Sequence, residues 1–272
     1  MQNYSLNSIV FNSIDEYGAS QRSPFETITS NPDEYVQLSN IVKSHFPKWT
    51  EDEVRDFLEK LKQEGCGYVA MINSLFDEFT DNRSDFKKAF GFDMFSSDGT
   101  LNFNQVLVDL YCTMDNHIGG RFLFFTWDTL VENEDRIWSD DDKNGKFEWK
   151  DKPFGNNEVQ MKYRWETYCR RHGIDVKIDI NQVISPKNYE KFARKGTVII
   201  LCSKFTIYNE EQKPTEVKNG HFMTITGVTN DNKYIVSSWG KRYTLDPKDI
   251  KGFKYYQVIR YKKYEKTADH FL

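Results

Sequence analysis

Apolar positions in this chain fall at helical spacing through its first two thirds and in short dense runs in its last third. Thr50, Glu51, Asp52 and Glu53 form a capping box, in which hydroxyl and carboxylate each satisfy a backbone N–H that the first helical turn leaves unpaired. Val54, Phe57, Leu58 and Leu61 continue at i, i+3, i+4 and i+7, which predicts a helix that Gly65 stops. A second helix is expected from Cys66, carrying Val69, Met71, Ile72, Leu75 and Phe76; an apolar face this broad predicts central burial. Helices are also predicted over 104–115 and 158–171, while the aromatic stretch 122–137 fits neither period.

Beyond Gly173 the pattern changes. A strand is expected at 174–180, then a helix from Ser185-Pro186 through Ala193 that Gly196 ends. Four consecutive branched apolar residues within 197–202 predict a buried strand. Further strands are expected at 221–228, 234–238 and 255–261, the first two joined by a polar turn at 229–233. Helices early and an antiparallel sheet late predict an α+β fold. Residues 1–44 are rich in Asn and Ser, with Ser23-Pro24 and Asn31-Pro32 as turn signals. They are expected to be irregular, as an arm or a packed extension, before one domain at 45–272, whose middle, 81–156, is an elaboration.

Composition removes some classes of function. With 38% hydrophobic and 15% aromatic residues the chain can bury a core, and no run approaches the length of a membrane-spanning helix. A net charge of -4 without a basic stripe argues against nucleic acid as partner. Cys66, Cys112, Cys169 and Cys202 are too dispersed for a disulfide framework, and no CxxC pair suggests structural zinc, so free thiols are expected. The polar N-terminus lacks the layout of a classical secretory signal; a cytoplasmic location, a non-classical export route and a place within a larger protein all stay open.

Candidate chemistry centres on Gly65-Cys66-Gly67-Tyr68-Val69-Ala70-Met71. A cysteine opening a helix lies at the positive end of the helix dipole, beside backbone N–H groups, which favours the thiolate. In the second half, His221 starts a strand and Ser237 and Ser238 end the next, so a hairpin turn at 229–233 brings all three to one end of the sheet. If the Cys66 helix packs on that end, the imidazole can take the thiol proton and later protonate a leaving group. Backbone N–H groups at the helix start would then face the oxyanion.

Taken in order, Gly65-Cys66-Gly67-Tyr68-Val69-Ala70-Met71, Gly220-His221-Phe222-Met223-Thr224-Ile225-Thr226-Gly227 and Ser237-Ser238-Trp239-Gly240 resemble the papain-like cysteine peptidase superfamily. The compact surroundings of the cysteine look more like the bacterial branch related to bacteriocin-processing peptidases. The resemblance covers about residues 50–80 and 185–260. It implies a papain-like fold in which a helix with the nucleophile at its N-terminus packs on a C-terminal antiparallel sheet. It also implies Cys66 as nucleophile, His221 as base, Ser237 as the residue orienting the base and Trp239 as an indole shielding that polar pair. The chain departs from the family twice: Ser237 stands where the family has Asn or Asp, and Lys60 where it has its oxyanion glutamine, leaving Gln63 as the stand-in. The implied activity is hydrolysis of peptide or isopeptide bonds in a protein or peptide substrate, through a thioester and without a cofactor. Acyl transfer or deamidation by the same thiol, and a non-catalytic binding module that keeps the fold, are the alternatives. His45, His117, His172 and His270 lack matching partners, and Cys112, Cys169 and Cys202 lie in apolar patterns, so packing or surface roles are expected for them.

A separate constellation spans 140–151. Asp140, Asp142 and Asn144 fall at positions one, three and five of an EF-hand-like loop, Gly145 at six, Lys146 at the position that ligates through its backbone carbonyl, and Asp151 at twelve. Calcium is the ion such a loop would take. Pro153 and Gly155 oppose an exiting helix, and the competing expectation, which the sequence favours, is a plain acidic hairpin turn.

Overall fold

A computed structural model describes residues 20–79, 82–97, 99, 101–114 and 158–262, together with the backbone of 117–122, 125–130, 136–139 and 148–151. Its helical part contains α1 (Ser23–Ser30), α2 (Pro32–His45), α3 (Glu51–Glu64), α4 (Cys66–Phe79), α5 (Arg83–Phe90) and α6 (Phe103–Met114). Two small hairpins follow, β1 (His117–Phe122) with β2 (Phe125–Leu130) and β3 (Arg136–Ser139) with β4 (Glu148–Asp151), and then α7 (Glu158–Arg171). The rest is β5 (Val176–Asp179), α8 (Tyr189–Ala193), β6 (Thr197–Cys202), β7 (Phe205–Tyr208), β8 (Pro214–Val217), β9 (His221–Val228), β10 (Tyr234–Ser238), β11 (Lys241–Leu245) and β12 (Lys254–Tyr261). These eight strands form one antiparallel sheet in the order β5-β12-β6-β9-β10-β11-β7-β8. The class is α+β, with helices first and the sheet last. Among the described residues no helix is long and apolar enough to cross a membrane.

Residues 20–44 depart from the irregular extension expected of them. Pro24 and Pro32, read as turn residues, are the second residue of α1 and the first of α2, within the opening turn where a missing N–H costs nothing, and the Asn31 side chain caps α2 by accepting from the Glu34 N–H. Leu38 and Val42 of α2 are fully buried, so this part is packed into the core, as a packed extension would be, but in helical form. The capping box forms as expected, with both of its bonds, and Val54, Leu58 and Leu61 are buried. Gly65 is the sole residue between α3 and α4. Its N–H closes α3 on the Leu61 carbonyl and its own carbonyl accepts from Val69 to open α4. A Cβ there would lie 2.6 Å from the Leu61 oxygen, so only glycine fits immediately before Cys66.

The sheet separates two cores. On one face, Ile199, Leu201, Phe222 and Ile259 pack with α4, α6 and α7 around Tyr68, Phe76, Tyr111 and Trp165. The other face gathers Val198, Ile200, Cys202, Met223, Ile225, Tyr234, Val236 and Val258 with Tyr189 of α8. We call these the helix face and the far face.

Candidate functional site

α4 lies along β9 on the helix face, and three contacts fix their alignment. A Cβ on Gly67 would come within 3.2 Å of Phe222; the Thr224 hydroxyl donates to the Ala70 carbonyl at 3.4 Å; the Asn73 amide donates to Thr224 Oγ1 at 3.4 Å. Helix and strand therefore progress together, and Cys66, half-buried as the first residue of α4, stands level with His221, the first residue of β9. The one-residue link through Gly65 and the strand start after Gly220 thus bring the two predicted reactive residues to the same end of the sheet.

His221 is 6% exposed. Its Nε2 lies 2.7 Å from Ser238 Oγ, and its ring stacks on Trp239 with centroids 4.5 Å apart and planes 24° apart. Burial pulls its pKa down from 6.5 to about 4, since an enclosed imidazolium loses water and the facing serine is neutral. Trp239 and Gly240 form the two-residue loop from β10 to β11, with Ser238 opposite Lys241 and positive φ at both loop positions, 48° and 73°. That is the backbone of a type I′ hairpin, which glycine accepts freely and a bulky residue adopts only at a cost. The cost is borne at the residue that covers the histidine.

The serine against the imidazole is Ser238, whereas the sequence pointed to Ser237. A β-bulge explains the difference. Tyr234 and Ile235 pair with Val228 and Gly227, but Val236 pairs with Ile225 and Ser237 with Thr224, so Thr226 is the extra residue on β9. In uninterrupted pairing Ser237 would oppose Ile225 and share the face of His221. One extra residue reverses the alternation, sends Ser237 to the helix face and brings Ser238 to the side of His221. There the Asn73 amide approaches Ser237 Oγ at 3.5 Å, while Asn73 Oδ1 is buried without a hydrogen-bond partner. Asn73 escaped notice in the sequence, although a polar residue inside the run Met71-Ile72-Asn73-Ser74-Leu75 was a usable signal.

The same alternation has a second consequence. Cys202 is the register partner of His221 and faces the far core, so the imidazole and Trp239 belong to the far face while α4 and Cys66 lie on the helix face. Thiol and imidazole share an end of the sheet and approach it from opposite sides. No protein-family model and no curated protein sequence matches this chain.

The remaining predicted residues are more scattered. Gln63 is exposed near the end of α3, and its carbonyl accepts a long bond from Gln21. Cys169 and Cys202 are buried, and burial pushes both thiols up, away from reactivity. Asp140, Asp142, Asn144 and Lys146 lie outside the described residues, and Asp151 ends β4 opposite Arg136. The elements on either side of that loop are paired strands, as in a hairpin, where an EF-hand would have helices. His45 and His172, expected to be packing or surface residues, both reach Asp109: His45 Nε2 at 2.9 Å, His172 Nε2 at 3.7 Å, with the Tyr168 hydroxyl donating at 2.9 Å. Burial pushes the Asp109 carboxyl up, but hydrogen bonds from His172, His45 and Tyr168 outweigh it and hold it well below the ordinary carboxylate range. This clasp ties α2, α6 and α7 together.

Proposed function

We propose that this chain is a papain-like cysteine hydrolase acting on peptide or isopeptide bonds, with Cys66 as nucleophile, His221 as base and Ser238 in the partner role first read for Ser237. The observation that carries the reading is the meeting of α4 and β9 at one end of the sheet, where Cys66 opens the helix level with His221, whose Nε2 faces Ser238 under the Trp239 ring. With Nε2–H donated to the serine oxygen, Nδ1 is the nitrogen available as acceptor. The thiol proton passes around the end of the sheet to Nδ1, through one bridging water, as the Sγ–carbon bond forms, and backbone N–H groups of the first turn of α4 face the oxyanion. The imidazolium returns the proton to the leaving nitrogen as the carbon–nitrogen bond breaks. Water, deprotonated by the same ring, then releases the acid and restores the thiol. An amine in place of water gives acyl transfer, and a glutamine side chain as substrate gives deamidation, with the same residues in the same roles.

The far-face position of His221 and its depressed pKa favour a second reading, a binding module that keeps the fold without catalysis. Incubation with a mixed-sequence peptide library, followed by mass spectrometry, separates the two. Cleavage that disappears in Cys66→Ser, with circular dichroism unchanged, is the expected result. Cleavage that persists in Cys66→Ser overturns the hydrolase reading, and capture of peptides without cleavage by the unaltered chain supports the module.

A further inference from the structure

The end of the sheet that carries His221 also carries an aromatic ledge. Phe253 and Tyr255 are 44% and 37% exposed, and their rings stack 5.5 Å apart at 27°. Register places Tyr255 opposite Leu201 and Leu201 opposite Phe222, so the ledge continues the row that runs over the helix face to Gly67 and the start of α4. Phe253 reaches Gly220, the residue before His221, where an added Cβ would meet its ring at 3.3 Å.

The surroundings of the ledge are basic. The Lys251 N–H donates to the Lys204 carbonyl, Lys254 pairs with Cys202, and Lys218 follows Val217, the partner of Phe205. All four lysines are exposed, and among the described residues none of them forms an ion pair. The stretches that build this corner, 197–208, 217–229 and 250–262, contain no Asp or Glu, although the whole chain is net acidic at -4. Asp249 and Glu216 lie just outside them: Asp249 accepts from the Tyr208 hydroxyl, and Glu216 is exposed opposite Thr206, so four lysines face two bordering carboxylates. Gathered like charges repel one another, and an acidic partner relieves that repulsion while gaining charge complementarity.

We infer that this corner is the substrate-docking surface, and that it takes an acidic polypeptide segment carrying an aromatic or large aliphatic side chain. The inference rests on Cys66 being the reacting residue. Two strand spacings separate β12 from β9, about 10 Å, and an extended peptide advances about 3.3 Å per residue. The ledge therefore reads a side chain roughly three residues from the carbonyl presented to Cys66.

The test uses the full chain carrying Cys66→Ser and a fluorescent glutamate-rich peptide with one phenylalanine, alongside a lysine-rich counterpart. The acidic peptide is expected to bind in preference to the basic one, with affinity falling as salt rises. Phe253→Ser, and separately Lys204→Glu combined with Lys254→Glu, should each weaken binding by about tenfold. Both changes are at exposed positions, and circular dichroism checks that they fold. Equal binding of the two peptides, unchanged binding by the variants, or preferred binding of single-stranded DNA or anionic vesicles overturns the inference. Binding by Cys66→Ser without cleavage by the unaltered chain leaves an acidic-peptide surface but overturns its assignment to substrate, together with the hydrolase reading. Library cleavage without preference for acidic segments overturns the docking surface while the hydrolase reading stands.

Discussion

The two faces of the sheet treat adjacent serines in different ways. On the helix face Ser237 joins Thr224 and Asn73 in a buried polar knot between β9, β10 and α4. On the far face Ser238 meets an imidazole under a stacked indole. The residue type is the same and the burial nearly so, 4% exposed in both cases. What differs is which side of the pleat each side chain takes, and the Thr226 bulge decides that. A role carried over from a family motif is thus only as secure as the strand pairing behind that motif.

The largest effect expected from this contrast is structural and belongs to the helix face. Phe222, 3% exposed, fills the space between Gly67 and Leu201. Phe222→Ala should cost about 3–5 kcal/mol in urea unfolding, because the cavity opens where α4 seats on the sheet. A loss below about 1 kcal/mol would mean that α4 is not anchored there.

The next effect belongs to the far face and depends on pH. With its folded pKa lowered from 6.5 to about 4, His221 stays neutral in the folded chain while the unfolded chain takes up its proton. The resulting stability is fully present above the unfolded value, and is lost as pH falls from about 6.5 through about 4, a change on the order of 3 kcal/mol. His221→Gln should remove this component of the pH–stability curve, measured by denaturant titration at a series of pH values. An identical slope in the variant would place the imidazole in solvent.

Smaller effects separate the serines directly. Ser237→Ala removes the hydroxyl that the Asn73 amide approaches at 3.5 Å and should lower stability by about 1 kcal/mol, leaving turnover unchanged. Ser238→Ala removes the group against Nε2 and should slow turnover about tenfold or more, while the buried ring nitrogen it leaves unpaired costs about 1–3 kcal/mol of stability. The reverse ordering would return the partner role to Ser237 and put the bulge in doubt.

Much of the architecture was legible because each signal was local. The capping box and Gly65 fixed α3, the branched run at 197–202 fixed β6, and α7 occupies the residues its spacing predicted. The prolines of α1 and α2 misled, since Pro marks a helix start and a turn equally well until the following residues are weighed. β7, β8 and β11 were missed, being short and only partly apolar. At the candidate site Cys66 and His221 were visible from motif and order. Which serine reached the imidazole was not, because a bulge depends on how two strands fit each other and leaves no mark in one of them.

The central claim is that Cys66 and His221 act together across the end of the sheet. The most direct measurement is the rate of Cys66 carboxamidomethylation against pH, followed by peptide mass spectrometry, for the unaltered chain and for His221→Ala. If the pair is coupled, the unaltered chain reacts at Cys66 well before Cys112, Cys169 or Cys202, and its profile has an acidic inflection from the imidazole that His221→Ala lacks. Superimposable profiles for the two proteins would contradict the account and leave His221 as a buried packing residue.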